Sequence, residues 1–371
     1  MNARRKQESS GSISTLGTTA LIVFIQAAPP PTSSLLGPSV HAVEQAVPEL
    51  MQEHSVPGLS MALIRDGKIY WVKGFAVKDG NVPVTKDTTF EAASLSKVVF
   101  AYAVLKLADK GKIDLDAPLQ RYLDAPYIPG NPRINKITAR MVLSHRTGFP
   151  NWRPKEGLTI HFELGDHFSY SGKGFVFLAK AVERITGQSF NDFMQRMVFT
   201  PLGMTSSIYV WRQDYDARTA IGHDKDGKGQ DKWKPNEANP ASSLQTTALD
   251  YARFMAALLD GKGLKPDTLT QMETPQTPVE ENCTANCFGV APLSTSVFWG
   301  LGIGLEKTST GLAFWHWGDN GGFKAYMVGF PQQKSGLVMF INSDNGLAIA
   351  DAVVKAAFGS DQPSLQWLKH D

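Results

Sequence analysis

Apolar residues recur every three or four positions in several stretches of the chain, the spacing that turns one face of a helix toward a core. In residues 39–54 they run from Val40 to Leu50, and Pro48 is the residue that disrupts the pattern. The same spacing predicts further helices over Lys97–Gly111, Gly174–Thr186, Thr247–Leu259 and Ala348–Phe358.

Short runs rich in β-branched and aromatic residues predict strands toward both ends of the chain. Leu59–Val77 is divided by Asp66-Gly67, a pair typical of a two-residue hairpin turn. Further strands are predicted over Trp299–Glu306, Leu312–Trp317, Ala325–Phe330 and Gly336–Asn342. Helices and loops fill the middle, which predicts an α+β fold, an α/β sandwich. One antiparallel sheet formed by both chain ends would be flanked by helices, with a mainly helical lobe inserted.

Residues 1–28 have the layout of a secretory signal peptide. Arg4, Arg5 and Lys6 precede a mainly apolar stretch at 16–25, and small residues follow at 27–28. We therefore expect export to the periplasm or the cell exterior, with residues 29–38 as a linker. A disordered tail and an uncleaved anchor are the alternatives, because glycine and threonine interrupt the apolar stretch.

Composition narrows the function classes. The chain has 371 residues, 42% of them hydrophobic, which excludes a disordered protein. A net charge of +2 provides no basic field for nucleic acid, and the only membrane contact we expect is through an uncleaved leader. Cys283 and Cys287 are too few for a disulfide scaffold and could be paired or reduced. The histidines are scattered, so we expect neither a metal nor a cofactor.

Ser94 and Lys97 have a spacing that could carry nucleophilic chemistry. They lie three residues apart at the start of the Lys97–Gly111 helix and so share one side of it. A lysine whose pKa is lowered by burial can accept the proton of a serine hydroxyl. The alternative is that Ser94 caps the helix, a role for which Ser96 competes.

Two later segments could contribute to the same site. Residues 168–172 form a small-residue stretch that could present the Tyr170 hydroxyl to a cleft, although most tyrosines only pack. Strand alternation places His316 and Gly318 on one face, where the glycine would let a ligand approach the backbone. The alternative for His316 is a histidine hydrogen-bonded within the sheet.

Together and in this order, these segments resemble the S-x-x-K, Y-x-N and K/H-x-G motifs of the serine β-lactamase and penicillin-binding protein superfamily. The similar branch is the class C β-lactamase-like group, which includes esterases and D-aminopeptidases. The motifs here are Ser94–Lys97, Tyr170–Gly172 and His316–Gly318. Leu143–Gly148, Pro201–Met204 and Ser242–Phe254 also resemble family segments, so the resemblance extends from Val40 to Phe358.

The resemblance implies a β-lactamase/transpeptidase-like fold for residues 39–371, with an α/β lobe of about 39–115 and 245–371 and a helical lobe of about 116–244. It implies Ser94 as the nucleophile that forms an acyl-enzyme. Lys97 and Tyr170 would share the proton transfers, with the general base unassigned. Backbone N–H groups of Ser94 and Asp319 would form the oxyanion hole. His316, Gly318 and Gly172 are implied substrate-binding positions, whereas His145 and Arg146 are expected to be structural.

Two departures from the family pattern bear on the substrate. Gly172 replaces an asparagine and removes a side-chain amide. His316 replaces a lysine and removes a fixed positive charge for a substrate carboxylate. Arg153 could supply a cation near the cleft, but a surface arginine is the favoured interpretation. Both changes weaken the case for efficient hydrolysis of carboxylate-bearing β-lactams and favour esters or amides without a strict carboxylate anchor, while slow β-lactam turnover stays compatible with them.

The sequence therefore predicts a carboxylesterase- or β-lactamase-like serine hydrolase that acts on a small molecule. The alternatives are a D-aminopeptidase or D-Ala-D-Ala carboxypeptidase, and a penicillin-binding sensor that is acylated without turnover. The oligomeric state stays open.

Overall fold

The computed structural model describes residues 37–152, 154–155, 157–289 and 291–370. The expected signal peptide, most of the expected linker and Arg153 lie outside these residues. The strands are β1 (Gly58–Arg65), β2 (Lys68–Asp79), β3 (Val82–Pro83), β4 (Phe90–Glu91), β5 (Gln245–Thr246), β6 (Thr277–Glu280), β7 (Leu293–Trp299), β8 (Gly304–Thr308), β9 (Gly311–Asp319), β10 (Lys324–Phe330) and β11 (Ser335–Ile341).

The α-helices are α1 (Val40–Glu53), α2 (Leu95–Asp109), α3 (Ala139–Leu143), α4 (Gly172–Thr186), α5 (Phe190–Met194), α6 (Thr200–Leu202), α7 (Ala248–Leu259), α8 (Pro266–Met272), α9 (Ala350–Phe358) and α10 (Pro363–Trp367). A π-helical turn, Gln195–Phe199, joins α5 to α6. Short 3-10 helices are found at Leu119–Tyr122, Pro132–Lys136, Gln213–Tyr215, Pro331–Gln333, Gly346–Ile349 and Leu368–His370. No helix in these described ranges is long and apolar enough to cross a membrane.

In the described part of the chain, nine strands form one antiparallel sheet in the order β3-β2-β1-β11-β10-β9-β8-β7-β6. β1 pairs with β11, with Leu59 opposite Ile341, so early and late segments share this sheet. Ala62 and Ile64 of β1 join a buried cluster with residues of α2, α4 and α7. The alternate residues Met61 and Leu63 join a second cluster with residues of α1, α9 and α10. Helices therefore cover both faces, and the predicted α+β fold is confirmed.

The hairpin and the long helices lie where the hydrophobic pattern predicts them. Asp66 and Gly67 both have positive φ, 52° and 68°, as a two-residue turn between β1 and β2 requires. Ser39 caps α1 by accepting a hydrogen bond of 3.2 Å from the N–H of Ala42. Pro48 is accommodated inside α1.

The prediction of one strand over Trp299–Glu306 is wrong. Two strands meet there, because the N–H of Gly300 donates to the carbonyl of Ile303 at 2.8 Å and closes a turn. Gly302 follows with φ +78°, and a Cβ at this position would lie 2.1 Å from the Cβ of Ala101 in α2. The residues of the turn are as apolar as those of the strands on either side, so hydrophobic periodicity does not reveal the turn.

Replacing Gly302 by alanine is expected to destabilise the fold by about 2 kcal/mol or more, from the strained φ and the overpacking against Ala101. Gly187 provides the matched control, since its φ is +65° but nothing lies within 4 Å of an added Cβ. Urea unfolding of both alanine variants measures the difference. Equal losses of stability in the two variants would show that the contact with α2 adds nothing to the destabilisation at Gly302.

Helix α2 is buried along almost its whole length. Every residue from Leu95 to Leu105 is buried, whereas the sequence pattern predicted one buried face. The reason is its position between the sheet and the helical segments of the first cluster. A helix enclosed in this way holds its first turn, with Ser94 and Lys97, in a fixed place.

Candidate active site

Ser94 lies at the N-terminal end of α2 with its hydroxyl available for chemistry. It occupies the N-cap position, but its side chain makes no capping hydrogen bond. Ser96 does not cap either, because its hydroxyl donates to the carbonyl of Ala93 at 2.5 Å. Ala93 has φ +46°, a strained value for a residue with a side chain, of the kind that clusters at functional sites.

Lys97 is fully buried, and its amine faces Ser94. The Nζ atom lies 2.9 Å from the Ser94 Oγ and 2.9 Å from the carbonyl oxygen of Ala241. It also lies 4.6 Å from the centroid of the Tyr170 ring. Within the described residues no carboxylate forms a salt bridge with it. Burial therefore lowers the pKa of the Lys97 amine well below its usual value, and the neutral amine is favoured.

Tyr170 precedes α4 and is held by its backbone. Its N–H donates to the carbonyl of Thr284 at 3.2 Å, and its side chain is buried. The hydroxyl has no hydrogen-bond partner in the described residues. Burial raises the pKa of the Tyr170 hydroxyl, and the nearby Ser94 hydroxyl opposes that rise. Serine, lysine and tyrosine thus meet, as their shared motif pattern predicts.

His145 packs against Tyr170 and hydrogen-bonds to the segment that carries it. Its ring centroid lies 4.3 Å from that of Tyr170, and its Nδ1 accepts a hydrogen bond of 2.9 Å from the N–H of Ser171. The residue has φ +55°. Arg146 next to it donates to the carbonyl of Gly165. Both residues make hydrogen bonds within the fold, and their structural role stays a prediction.

Replacing His145 by alanine is expected to destabilise the protein by about 2 kcal/mol or more, because the N–H of Ser171 loses its buried acceptor. Asparagine is the matched control, since it tolerates positive φ and its side-chain oxygen can accept the same hydrogen bond. Thermal unfolding compares the two variants. We expect His145→Asn to retain more of the stability, and equal losses would contradict this account.

His316 is buried and uncharged in β9. Its Nδ1 lies 2.6 Å from the carbonyl oxygen of Trp317, so this nitrogen carries the proton. Burial, with a contribution from Lys97, lowers the pKa of His316 to about 3. The Nε2 atom has no partner in the described ranges. The site therefore has no positive charge at this position at neutral pH.

The structure gives a reason for Gly318 that differs from the sequence interpretation. An added Cβ would lie 2.7 Å from the carbonyl oxygen of Ala92 and 3.1 Å from the Cβ of Ala93. The glycine thus makes room for the backbone that leads to Ser94, whereas the sequence suggested room for a ligand. Close packing at this point brings the end of β9, with Asp319, toward the start of α2.

Ion pairs hold the C-terminal end of β9 in place. Lys324 is buried, and its Nζ lies 2.6 Å from the carboxylates of both Asp319 and Asp344. Asp319 also accepts a hydrogen bond of 2.8 Å from the N–H of Gly321. These contacts hold the backbone at Asp319 in place. The family resemblance implies that the N–H group of this residue belongs to the oxyanion hole.

Asn151 and Trp152 contribute to the site and were missed from the sequence. The side-chain oxygen of Asn151 accepts a hydrogen bond of 3.0 Å from the N–H of Gly172. The Trp152 ring centroid lies 5.8 Å from Lys97 Nζ. An added Cβ at Gly172 would lie 3.0 Å from both the Asn151 carbonyl oxygen and the Trp152 ring, so the glycine fits this packing. A loop gives no periodic signal that could have identified the two residues.

A disulfide between Cys283 and Cys287 closes a loop against the tyrosine segment. The N–H of Cys287 donates to the Ser169 hydroxyl at 3.1 Å, and Asn286 accepts from the N–H of Asn151 at 3.1 Å. The state of the cysteines, which the sequence left open, is therefore paired. Glu280 lies close to both sulfur atoms, but the disulfide leaves no thiolate to bind a metal there.

Comparisons with known proteins identify the family of the chain. A family model described as Beta-lactamase matches residues 43–358. Penicillin-binding protein 4 of Amycolatopsis lactamdurans is 26% identical over 327 residues, which cover 81% of this chain and 84% of that protein. Protein flp of Staphylococcus aureus is 23% identical over 245 residues, 60% of this chain and 49% of that protein. The chain thus spans about half the length of this second relative.

Two solved structures share the fold. The octameric penicillin-binding protein homologue from Pyrococcus abyssi aligns with a TM-score of 0.69 at 23% identity, over 82% of this chain and 73% of that chain. The β-lactamase/D-alanine carboxypeptidase from Pseudomonas syringae aligns with a TM-score of 0.71 at 18% identity, over 85% and 98%. At these identities the likeness establishes the fold alone. Since the family model matches most of the chain, the protein belongs to the β-lactamase family.

Proposed function

We propose that the protein is a serine hydrolase that forms an acyl-enzyme on Ser94 and acts on small esters or amides that need no carboxylate anchor, with slower turnover of carboxylate-bearing β-lactams. The observation that carries this proposal is the 2.9 Å contact between Lys97 Nζ and Ser94 Oγ, with the amine fully buried. A neutral amine at this distance can accept the hydroxyl proton as the serine attacks a carbonyl carbon.

The two pKa shifts favour different roles for Lys97 and Tyr170. Burial lowers the pKa of the lysine, which leaves the amine neutral and able to accept a proton, and raises the pKa of the tyrosine, which keeps its proton. Lys97 would accept the Ser94 proton during attack. Tyr170 would protonate the leaving group and recover a proton from the Lys97 ammonium. In deacylation, water would give a proton to this pair and Ser94 would regain one as the acyl bond breaks. The groups are coupled and titrate together.

The oxyanion formed during attack would be held by the backbone N–H groups of Ser94 and Asp319. The start of α2 contributes the positive end of the helix dipole, which favours negative charge at this point. Packing at Gly318 and the ion pairs of Lys324 support the other donor. Both donors belong to rigid elements, which is the condition for stabilising developing charge without reorganisation.

The names of the similar proteins raise a second candidate, a D-alanine carboxypeptidase. A carboxypeptidase substrate ends in a carboxylate and would need a cation near the site. His316 is neutral because its pKa is about 3, and burial likewise favours the neutral form of Lys97. This observation supports esters and amides without a terminal carboxylate as the first choice.

Trapping the acyl-enzyme tests the proposal. The protein is mixed with an activated aryl ester or a penicillin, and intact mass is followed with time. We expect an adduct in the tryptic peptide 87–97 that disappears within minutes. An adduct that persists would replace the hydrolase with a penicillin-binding sensor, and release of D-alanine from a muropeptide would favour the carboxypeptidase. Absence of any adduct on Ser94 would overturn the proposal.

We also propose that the protein is exported from the cytoplasm. Disulfides persist in oxidising compartments, so the Cys283–Cys287 bond supports the expected signal peptide. N-terminal sequencing of the protein recovered from the periplasm or the medium is expected to begin near residue 29. Recovery of the full-length chain from the cytoplasm alone would contradict it.

A further inference from the structure

A cavity of about 320 Å³ lies next to the segment that carries Ser94. Its lining residues come from three parts of the chain: Glu91, Gln230, Asp231, Trp233, Asn320 and Phe323. Glu91 precedes Ser94 by three residues, which limits their Cα separation to about 11 Å. Asn320 directly follows Asp319. A substrate held at Ser94 could therefore extend into this cavity.

Glu91 presents one unused oxygen to the cavity. The residue is 5% exposed, and its Oε2 accepts a hydrogen bond of 2.7 Å from the side-chain amide of Asn320. Within the described residues, Oε1 has no hydrogen-bond partner. Burial raises the pKa of Glu91 to about 7, since neither a cation nor a further donor offsets it. This oxygen is not sealed from solvent, so it can accept a hydrogen bond from a ligand that enters the cavity lined by Glu91.

The rest of the cavity has the chemistry of a cation site. Asp231 adds a second carboxylate at the exposed rim. Trp233, 40% exposed, and Phe323 add aromatic surface. No lysine or arginine of the described residues lines it. Carboxylates beside aromatic rings attract an ammonium group carried on an apolar substituent.

We propose that this cavity binds a protonated amine of the substrate, so that the preferred ester or amide carries an ammonium group. The link to catalysis rests on the proposed hydrolase, whereas binding of the amine to the cavity is independent of it. The ammonium donates to the free oxygen of Glu91, and the substituent that carries it packs against Trp233 and Phe323. Asp231 adds attraction at the entrance.

Binding of two matched probes that cannot be hydrolysed tests the cavity directly. Benzylamine, protonated at pH 8, and benzyl alcohol are titrated into the full-length protein by calorimetry. We expect benzylammonium to bind at least about tenfold more tightly. Glu91→Gln should remove this preference, because glutamine can keep the hydrogen bond to Asn320 without the charge. Equal affinities for the two probes, or an unchanged preference in Glu91→Gln, would overturn the inference.

Variants at the rim guard against misfolding of Glu91→Gln. Asp231→Asn and Trp233→Leu alter exposed side chains. Each should lower the affinity for benzylammonium about two- to fivefold, which is the size expected for one exposed contact to a cation. Glu237→Gln is the matched control, since this exposed carboxylate lies outside the cavity lining and its loss should change nothing. If Glu237→Gln weakened binding as much as Asp231→Asn, the preference would reflect general charge and the inference would fail.

Kinetics separates this inference from the proposed function. The aryl esters of 6-aminohexanoic acid and heptanoic acid are compared by kcat/KM, and we expect the amino ester to be preferred in the wild type and not in Glu91→Gln. Hydrolysis of both esters at equal rates would overturn the cavity as a specificity site and leave the hydrolase intact. Probe binding without hydrolysis of either ester would overturn the hydrolase and leave the cavity intact.

Discussion

Replacing Ser94 by alanine is expected to reduce hydrolysis on the order of 10⁴-fold or more and to abolish the covalent adduct. The alanine removes the only atom that the proposed mechanism acylates, while α2 stays enclosed by its neighbours. Steady-state rates on an aryl ester, together with intact mass after exposure to it, measure both effects. Thermal stability should fall by no more than about 1 kcal/mol, since Ser94 makes no capping hydrogen bond and the Lys97 amine, on losing the Ser94 oxygen, keeps the carbonyl of Ala241.

Ser96→Ala provides the contrast from the same tryptic peptide. The Ser96 hydroxyl donates to the carbonyl of Ala93 and accepts from the N–H of Leu244 at 3.1 Å, so its loss should lower stability by about 1–3 kcal/mol. The covalent adduct should still form. A Ser94→Ala protein that kept more than a few per cent of the rate, or a Ser96→Ala protein without an adduct, would refute the assignment of the nucleophile.

Replacing Lys97 by methionine is expected to lower kcat by about 10²- to 10⁴-fold, the usual contribution of a general base. In the wild type, kcat/KM should rise with pH through the lowered pKa of the lysine, because only the neutral amine accepts the serine proton. The methionine variant should lose this limb of the pH profile. A variant with the wild-type profile would show that Tyr170 or another group is the base.

The same variant should change how stability depends on pH. The pKa of Lys97 in the folded protein lies below the value of 10.5 that the unfolded chain has. Between those two values the unfolded chain binds more protons, so the stability of the wild type rises with pH and levels off near 10.5. Without the amine, this rise disappears. Urea unfolding at several alkaline pH values compares the two proteins, and parallel curves would contradict the burial of an ionisable amine.

Hydrophobic spacing was enough to predict most of the regular structure. It located α1, α4, α7 and α9 because each presents an apolar face to one of the two buried clusters. It failed at Gly300, where a turn has the composition of a strand. It also gave α2 only one buried face, since enclosure on all sides depends on which other elements pack around it.

The candidate site was predictable only in part. Ser94, Lys97 and Tyr170 carry motif spacing that a sequence displays directly. Asn151 and the Glu91 cavity depend on loops, whose course follows from tertiary contacts and not from local pattern. The role of Gly318 likewise depends on tertiary contacts, because its neighbours Ala92 and Ala93 are distant in sequence.

The pairing of β1 with β11 has a consequence for how the chain matures. Leu59 finds its partner only when Ile341 has left the ribosome, so the centre of the sheet cannot close during most of synthesis. Contacts of such long sequence separation form slowly and leave apolar strand edges open in the meantime. The centre of this sheet can therefore be completed only at the end of synthesis, a late step that would be compatible with the export we propose.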